Sequence, residues 1–321
     1  MAALRIVVHA PARLADVVVP ALRAAASCDV VYCRDASECA KAVVDADVLC
    51  VNNASYDATI ARGIGNATKL RWIHFLSSGT DALLRHGGAR PGLLITNAAE
   101  AIGPMVAEHA LALALALVRA LPAMEAAKRA RIWSREIVTA ALSSLDGAAV
   151  TVLGYGAIGR AIVERAQAFG AQCTVVRRTR RGINAPSGIA FADADDALAR
   201  TDVLFVAVPL TSETKALLDR RRLGLLPASA HLVNVARGAV IEQAALVDAL
   251  RERRLAGAAL DVFDEEPLPA TSPLWELHNV IISPHVGGLG SDRVHGRIAD
   301  ICVRNLRAFQ AGTLVDNPSR M

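Results

Sequence analysis

The stretch from Ala149 to Phe169 constrains this chain more than any other. A β-branched apolar run, Val150–Leu153, leads directly into Gly154-Tyr155-Gly156-Ala157-Ile158-Gly159, and a segment with helical periodicity follows over residues 158–169. A GxGxxG pattern alone is weak. Between a strand and a helix it dictates a sharp strand–turn–helix unit. The first glycine permits the turn, the second clears space for a pyrophosphate to approach the backbone, and the third lets the helix lie close on the strand. Free amides and the dipole at the helix start favour an anion there. A chance glycine turn would need neither flank.

Around this unit, strands and helices alternate in two series. The first has strand candidates at 4–8, 30–32, 48–51, 72–75 and 93–96, with helical stretches at 14–26, 36–45 and 58–63. Pro104 suits the first turn of a long apolar helix reaching about Val118, and a further helix is expected over 122–131. The second series has six strands, at 149–153, 173–176, 203–208, 231–235, 258–262 and 280–283, with helices at 158–169, 214–218 and 243–253. A last helix at 292–311 is expected to return to the first series. The pattern predicts an α/β protein of two Rossmann-like, doubly wound parallel-sheet domains with an active-site cleft between them. Residues 1–97 plus 290–321 form one domain and 98–289 the other. Two crossings between them make a hinge.

Composition removes several function classes. The 321 residues are 53% hydrophobic, enough for two cores and against disorder. A net charge of +4, scattered and without a lysine-rich tail, gives no sign of nucleic-acid binding. The apolar run 110–118 is short, flanked by Glu108, His109 and Arg119, and reads as a buried helix, so no membrane partner is expected. The N-terminus reads as a strand and not as a signal peptide, which leaves the cytoplasm as the default location. Six cysteines include no CxxC pair, so free thiols and no metal site are expected.

A dinucleotide fold for NAD usually carries an acid about 20 residues beyond the glycines, on the ribose hydroxyls. Here the second strand ends Val175-Val176-Arg177-Arg178-Thr179-Arg180-Arg181. Arginine binds a 2′-phosphate where a carboxylate repels it. Arg177, Arg178 and Thr179 are therefore read as cofactor contacts that favour NADP, with NAD as the alternative.

Three later segments each place a titratable or charged residue at a strand end, where ligands bind in open α/β sheets. They are Val233-Asn234-Val235-Ala236-Arg237-Gly238, Asp261-Val262-Phe263-Asp264-Glu265-Glu266-Pro267-Leu268 and Ser283-Pro284-His285-Val286-Gly287-Gly288. Singly, Arg237, Glu266 and His285 would each be ordinary. Following a dinucleotide fingerprint, they point to one crevice.

With these motifs, and Pro209-Leu210-Thr211-Ser212-Glu213-Thr214, the chain resembles the D-isomer-specific 2-hydroxyacid dehydrogenases, glyoxylate and hydroxypyruvate reductases among them, over nearly its whole length. The resemblance implies hydride transfer between NAD(P)H and a small 2-oxo or D-2-hydroxy acid, in the reductive direction if NADP is used. It implies that Arg237 binds the substrate carboxylate and polarises the 2-oxo group. His285 would act as acid in reduction and base in oxidation, oriented by Glu266. Ser78 and Gly79 match the loop whose amides hold the substrate carboxylate. Among cofactor contacts it implies the loop 154–159, Met105 near the nicotinamide, Val208 and Pro209 at the adenine, Asp261 at the carboxamide, and Val235, Ala236 and Gly287 beside them. Asn97 and Met105 to Glu108 match the crossing between domains. Residues 103–145 resemble a dimerisation arm, so a homodimer is expected. The chain ends soon after its last helix, and no appended effector domain is expected. Two other readings use the same scaffold: a phosphite-type dehydrogenase, and a nucleotide-sensing corepressor-like protein, which keeps the same trio. A formate enzyme would carry Gln in place of Glu266.

Overall fold

A computed structural model describes residues 3–25, 27–133, 135–178, 188–289 and 292–313. The chain divides into two compact units, Met1–Ile102 with Gly290–Met321, and Gly103–Leu289.

The first unit holds five parallel strands, β1 (Leu4–His9), β2 (Cys28–Tyr32), β3 (Val48–Val51), β4 (Trp72–Phe75) and β5 (Leu94–Asn97), in the order β2-β1-β3-β4-β5. Every residue of β3 and β4 is buried. Helices cover both faces of such a sheet, so its central strands read as unbroken apolar runs. Local signals start the helices. Asp35 accepts from the Glu38 amide (2.8 Å), and Asp57 accepts from the amides of Thr59 (2.9 Å) and Ile60 (3.0 Å). The last helix, Asp292–Ala311, does return to this unit. The Phe309 ring packs 5.2 Å from that of Trp72, and Cys302 Sγ lies 3.6 Å from Cys50 Sγ of β3.

The second unit has seven parallel strands where six were expected. They are β6 (Ala149–Leu153), β7 (Gln172–Val176), β8 (Ile189–Phe191), β9 (Val203–Val206), β10 (His231–Asn234), β11 (Gly257–Leu260) and β12 (Val280–Ile282), in the order β12-β11-β10-β9-β6-β7-β8. The unforeseen strand, β8, has three residues at the sheet edge, too few to show alternation. The chain leaves β6 in one direction to build β7 and β8, then returns to β6's other side at β9. That reversal is the topological switch point where doubly wound sheets bind ligands.

Two helix expectations need correction. Residues 214–218 form a turn, with Ala216 in the left-handed region (φ 50°), and the helix follows at Arg220–Leu223 with Asp219 capping the Arg222 amide at 2.8 Å. Pro104 is not in a first turn. Asn97 caps the Ala99 amide (3.0 Å), so the helix runs Ala99–Val118 with Pro104 inside it. That helix has 20 residues, more than the run 110–118 suggests, and is long and apolar enough to cross a membrane by those two criteria alone. Its most apolar window is 61% buried in the protein, and Ala107, Ala110 and Ala114 are fully buried, which makes it a core helix. All six cysteines are free, and no metal-ligand cluster occurs among the described residues.

Candidate active site

The three glycines of the β6–helix turn take three distinct roles. Gly154 sits at φ +99°, where L residues are strained, and a Cβ on it would press on the Ala207 carbonyl. A Cβ on Gly159 would overlap the Gly154 carbonyl, so only glycine lets the helix Ala157–Ala168 lie this close to β6. Gly156 meets nothing within 4 Å and caps that helix with no side-chain hydrogen bond. The result is an open cradle at the N-terminus of a 12-residue helix, with Ala157 and Ile158 in its first turn. This arrangement fits a dinucleotide pyrophosphate. Gly103 of the long helix lies against the Ala157 backbone, and the half-buried Met105 follows two residues on in the same helix. Val208 and Pro209 follow β9, and a Cβ on Gly154 would stand 3.1 Å from Val208 Cγ1.

Across the switch point, β10, β11 and β12 end in the three charged segments. Gly238 makes the first two meet. A Cβ there would overlap the backbone of Phe263 and Asp264, so the loop carrying Arg237 packs directly on the loop carrying Glu266. Asn234 shapes the Arg237 turn. Its amide nitrogen donates to the Arg237 carbonyl (3.1 Å) and its oxygen accepts from the Ala236 amide (3.0 Å). Val235 and Ala236 are buried behind it. Arg237 Nη1 donates to the Ala236 carbonyl (2.6 Å).

Glu266 joins His285. Its Oε2 lies 2.7 Å from His285 Nδ1, and its Oε1 accepts from the Phe263 amide at 2.9 Å. The hydrogen bond to Glu266 raises the His285 pKa, against a lowering by burial and by Arg237. Burial alone would raise Glu266. The hydrogen bonds from His285 and the Phe263 amide, with the charges of His285 and Arg237, bring it below the usual carboxylate value instead. Because Nδ1 is committed to Glu266, Nε2 is the nitrogen left for proton exchange.

His285 is itself in the left-handed region (φ 54°), uncommon for a residue with a side chain. A buried hub holds it there. Asp261, 2% exposed, accepts from Ser283 Oγ (2.6 Å), the Val286 amide (2.9 Å) and the Gly287 amide (2.9 Å). His109 Nε2 of the long helix stands 3.0 Å from Ser283 Oγ and 3.3 Å from Asp261 Oδ1. A Cβ on Gly287 would meet Asp261 Oδ2 at 2.8 Å and His109 Cδ2 at 3.1 Å. Asp261 and Gly287, both read from the sequence as cofactor contacts, are thus joined to each other. Sequence reasoning gave no role to His109, Asn234 or Ser283. For His109 the available signal was a polar pair, Glu108-His109, inside a largely apolar helix.

In the first unit, Ser78 and Gly79 follow β4 in a loop shaped by two residues that the sequence reading passed over. Ser77 Oγ donates to the Gly79 carbonyl (3.1 Å) and accepts from the Asn53 amide (3.2 Å), and Asn53 Oδ1 accepts from the Ala82 amide (3.0 Å). At the end of β7, the Arg177 guanidinium lies 5.8 Å from the centre of the Phe191 ring, and Arg178 Nη1 pairs with Glu213 Oε2 at 2.6 Å. Tyr155 meets Phe191 edge-on at 5.9 Å. Thr179, with Arg180 and Arg181, lies outside the described residues.

A doubly wound sheet with a glycine cradle and a histidine–carboxylate pair on the same edge defines a dinucleotide-dependent oxidoreductase. Residues 111–287 match the sequence profile of the D-isomer specific 2-hydroxyacid dehydrogenase, NAD binding domain. The chain is 33% identical over 255 residues to a glyoxylate reductase of Pyrococcus furiosus, covering 78% of this chain and 75% of that one. Its fold is similar to a D-isomer specific 2-hydroxyacid dehydrogenase of Xanthobacter autotrophicus Py2 solved with NADPH and MES (TM-score 0.82, 29% identity, 99% of this chain and 98% of that one). It is also similar to a D-lactate dehydrogenase of Aquifex aeolicus solved with NAD and lactic acid (TM-score 0.78, 26% identity, 96% of each chain). The chain belongs to the D-isomer-specific 2-hydroxyacid dehydrogenase family of NAD(P)-dependent oxidoreductases.

Proposed function

We propose that the protein reduces a small 2-oxo acid of the glyoxylate or hydroxypyruvate class to the D-2-hydroxy acid, with Arg237, Glu266 and His285 as its catalytic residues. The observation that carries this reading is the 2.7 Å His285–Glu266 pair on the same sheet edge as the glycine cradle. A nicotinamide dinucleotide, when bound, supplies the reducing equivalent. The chain's own residues do the rest. Arg237 binds the carboxylate and draws charge from the 2-oxo group, and its always-charged planar fork suits both tasks. His285 delivers a proton from Nε2 to the developing alkoxide, and Glu266 keeps the ring oriented and, through its hydrogen bond, raises the ring's hold on its proton.

In this reading the unit Gly103–Leu289 binds the dinucleotide through residues 154–159, Arg177, Arg178, Val208 and Pro209, with Met105, Val235 and Ala236 nearby. Ser78 and Gly79 of the first unit bind the substrate carboxylate. Exposed Leu121, Met124, Ile132 and Trp133 give residues 103–145 an apolar surface suited to a second copy of the chain. The cytoplasm suits six free cysteines.

The test is a panel of 2-oxo acids, with phosphite included, followed at the nicotinamide absorbance with NADPH and with NADH. Turnover of glyoxylate or hydroxypyruvate is expected. His285→Ala is expected to reduce kcat by about a thousandfold, within the usual range for a lost general acid. Near-wild-type turnover in His285→Ala, or activity on phosphite alone, overturns the assignment.

A further inference from the structure

The acid missing from the end of β7 has a counterpart elsewhere in the fold. Three elements meet beside the glycine cradle. The Gly154 amide donates to the Val176 carbonyl (2.8 Å), which ties the cradle to the end of β7. There the Phe191 ring meets the Arg177 guanidinium (5.8 Å) and, edge-on, Tyr155 (5.9 Å). The loop after β9 then brings in Glu213, 35 residues along the chain from Arg178 and 2.6 Å from its guanidinium. That loop is braced from within. Thr211's amide donates to Thr214 Oγ1 (2.8 Å), and Thr214 Oγ1 donates to the Pro209 carbonyl (2.5 Å). In doubly wound folds this corner, past the second strand, is where the adenosine ribose lies, and where an acid reads a 2′-hydroxyl or an arginine reads a 2′-phosphate.

We infer that the Glu213–Arg178 pair is the cofactor selector of this enzyme, and that it admits both NAD and NADP. The inference rests on the dinucleotide site proposed above. Glu213, supplied from a remote loop, serves the unphosphorylated ribose as a hydrogen-bond acceptor in place of the absent strand-end acid. Arg178 serves the 2′-phosphate, but Glu213 already neutralises part of its charge and repels the incoming dianion. The phosphorylated cofactor has to displace the carboxylate from the guanidinium. The arginines therefore give a weaker NADP preference than their number suggests. Both partners are largely exposed, so the competition is modest, about fivefold in affinity by the usual strength of exposed ion pairs.

The experiment is calorimetric titration of the full-length protein with NADP⁺ and, separately, NAD⁺, for the wild type, Glu213→Gln and Arg178→Ala. Wild type is expected to bind both. Glu213→Gln should bind NADP⁺ about fivefold tighter and NAD⁺ several-fold more weakly, and Arg178→Ala should lose NADP⁺ affinity while NAD⁺ affinity holds. An NADP⁺/NAD⁺ ratio unchanged by Glu213→Gln, with NADP⁺ still weakened by Arg178→Ala, overturns the selector and leaves the dinucleotide site standing. Unchanged binding in both variants overturns the selector and the arginine reading together. If the wild type takes up neither cofactor, the dinucleotide site itself fails.

Discussion

His74 should make the first unit sensitive to mild acid. It lies fully buried in β4, its Nδ1 2.7 Å from Thr96 Oγ1, and its Nε2 has no partner among the described residues. Burial lowers its pKa from 6.5 to about 3. The unfolded chain therefore takes up a proton as pH falls through 6.5 while the folded chain does not, and stability falls with it. Integrating that linkage from about pH 7.5 to about pH 5 gives a loss of about 2 kcal/mol, and of about 5 kcal/mol by the time the folded group also protonates. Against a typical domain stability of about 5–15 kcal/mol, this is easily measured. The assay is urea unfolding followed by tryptophan fluorescence. Trp72 is fully buried, its Nε1 donating to Thr96 Oγ1 (2.8 Å), whereas Trp133 and Trp275 are 96% and 53% exposed, so the signal reports the first unit. Carboxylates also titrate in this range, so the reading is the difference between wild type and His74→Gln, in which the acid-induced loss should shrink by about 2 kcal/mol. Parallel stability–pH curves for the two proteins would refute the reasoning. A proton NMR titration of the wild type, in which the His74 ring shift should stay flat down to about pH 5, checks the same claim without a variant.

Two further outcomes are expected. Glu266→Gln removes the main cause of the raised His285 pKa, so the fall of reductive kcat with rising pH should begin at lower pH than in wild type, and an unmoved profile would show that the pair does not set the proton's hold. Gly238→Ala forces the Arg237 loop off the Phe263–Asp264 backbone, so kcat/KM should drop by about a hundredfold or more while calorimetric NAD⁺ affinity stays near wild type; unimpaired turnover would mean the two loops need not touch.

Most of the framework is legible in the chain because local physics writes it there. Gly154 and Gly159 each answer a separate backbone demand of a strand turning sharply into a helix, and Gly156 leaves the cradle open between them. The buried runs of β3, β4 and β9 declare parallel strands covered on both sides. The trio was visible for a related reason: Arg237, Glu266 and His285 stand just past three apolar runs, and strand ends on one sheet edge converge. Local signals failed where the element was short or its boundary lay in a cap. β8 has three residues, and Asn97 moved the start of the long helix ahead of Pro104.

What the sequence by itself determined is therefore the two α/β series, the dinucleotide turn and the three charged strand ends. All of these follow from periodicity and turn chemistry within some twenty residues. The tertiary structure alone decided which distant groups meet. It set Glu213 against Arg178, His109 against Asp261 and Ser283, and buried His74 beside Thr96. Sheet order and register make those meetings, and neither is encoded by spacing along the chain. The strand end that reads as an arginine-rich NADP site in one dimension thus meets an opposing carboxylate, brought by another loop, in three.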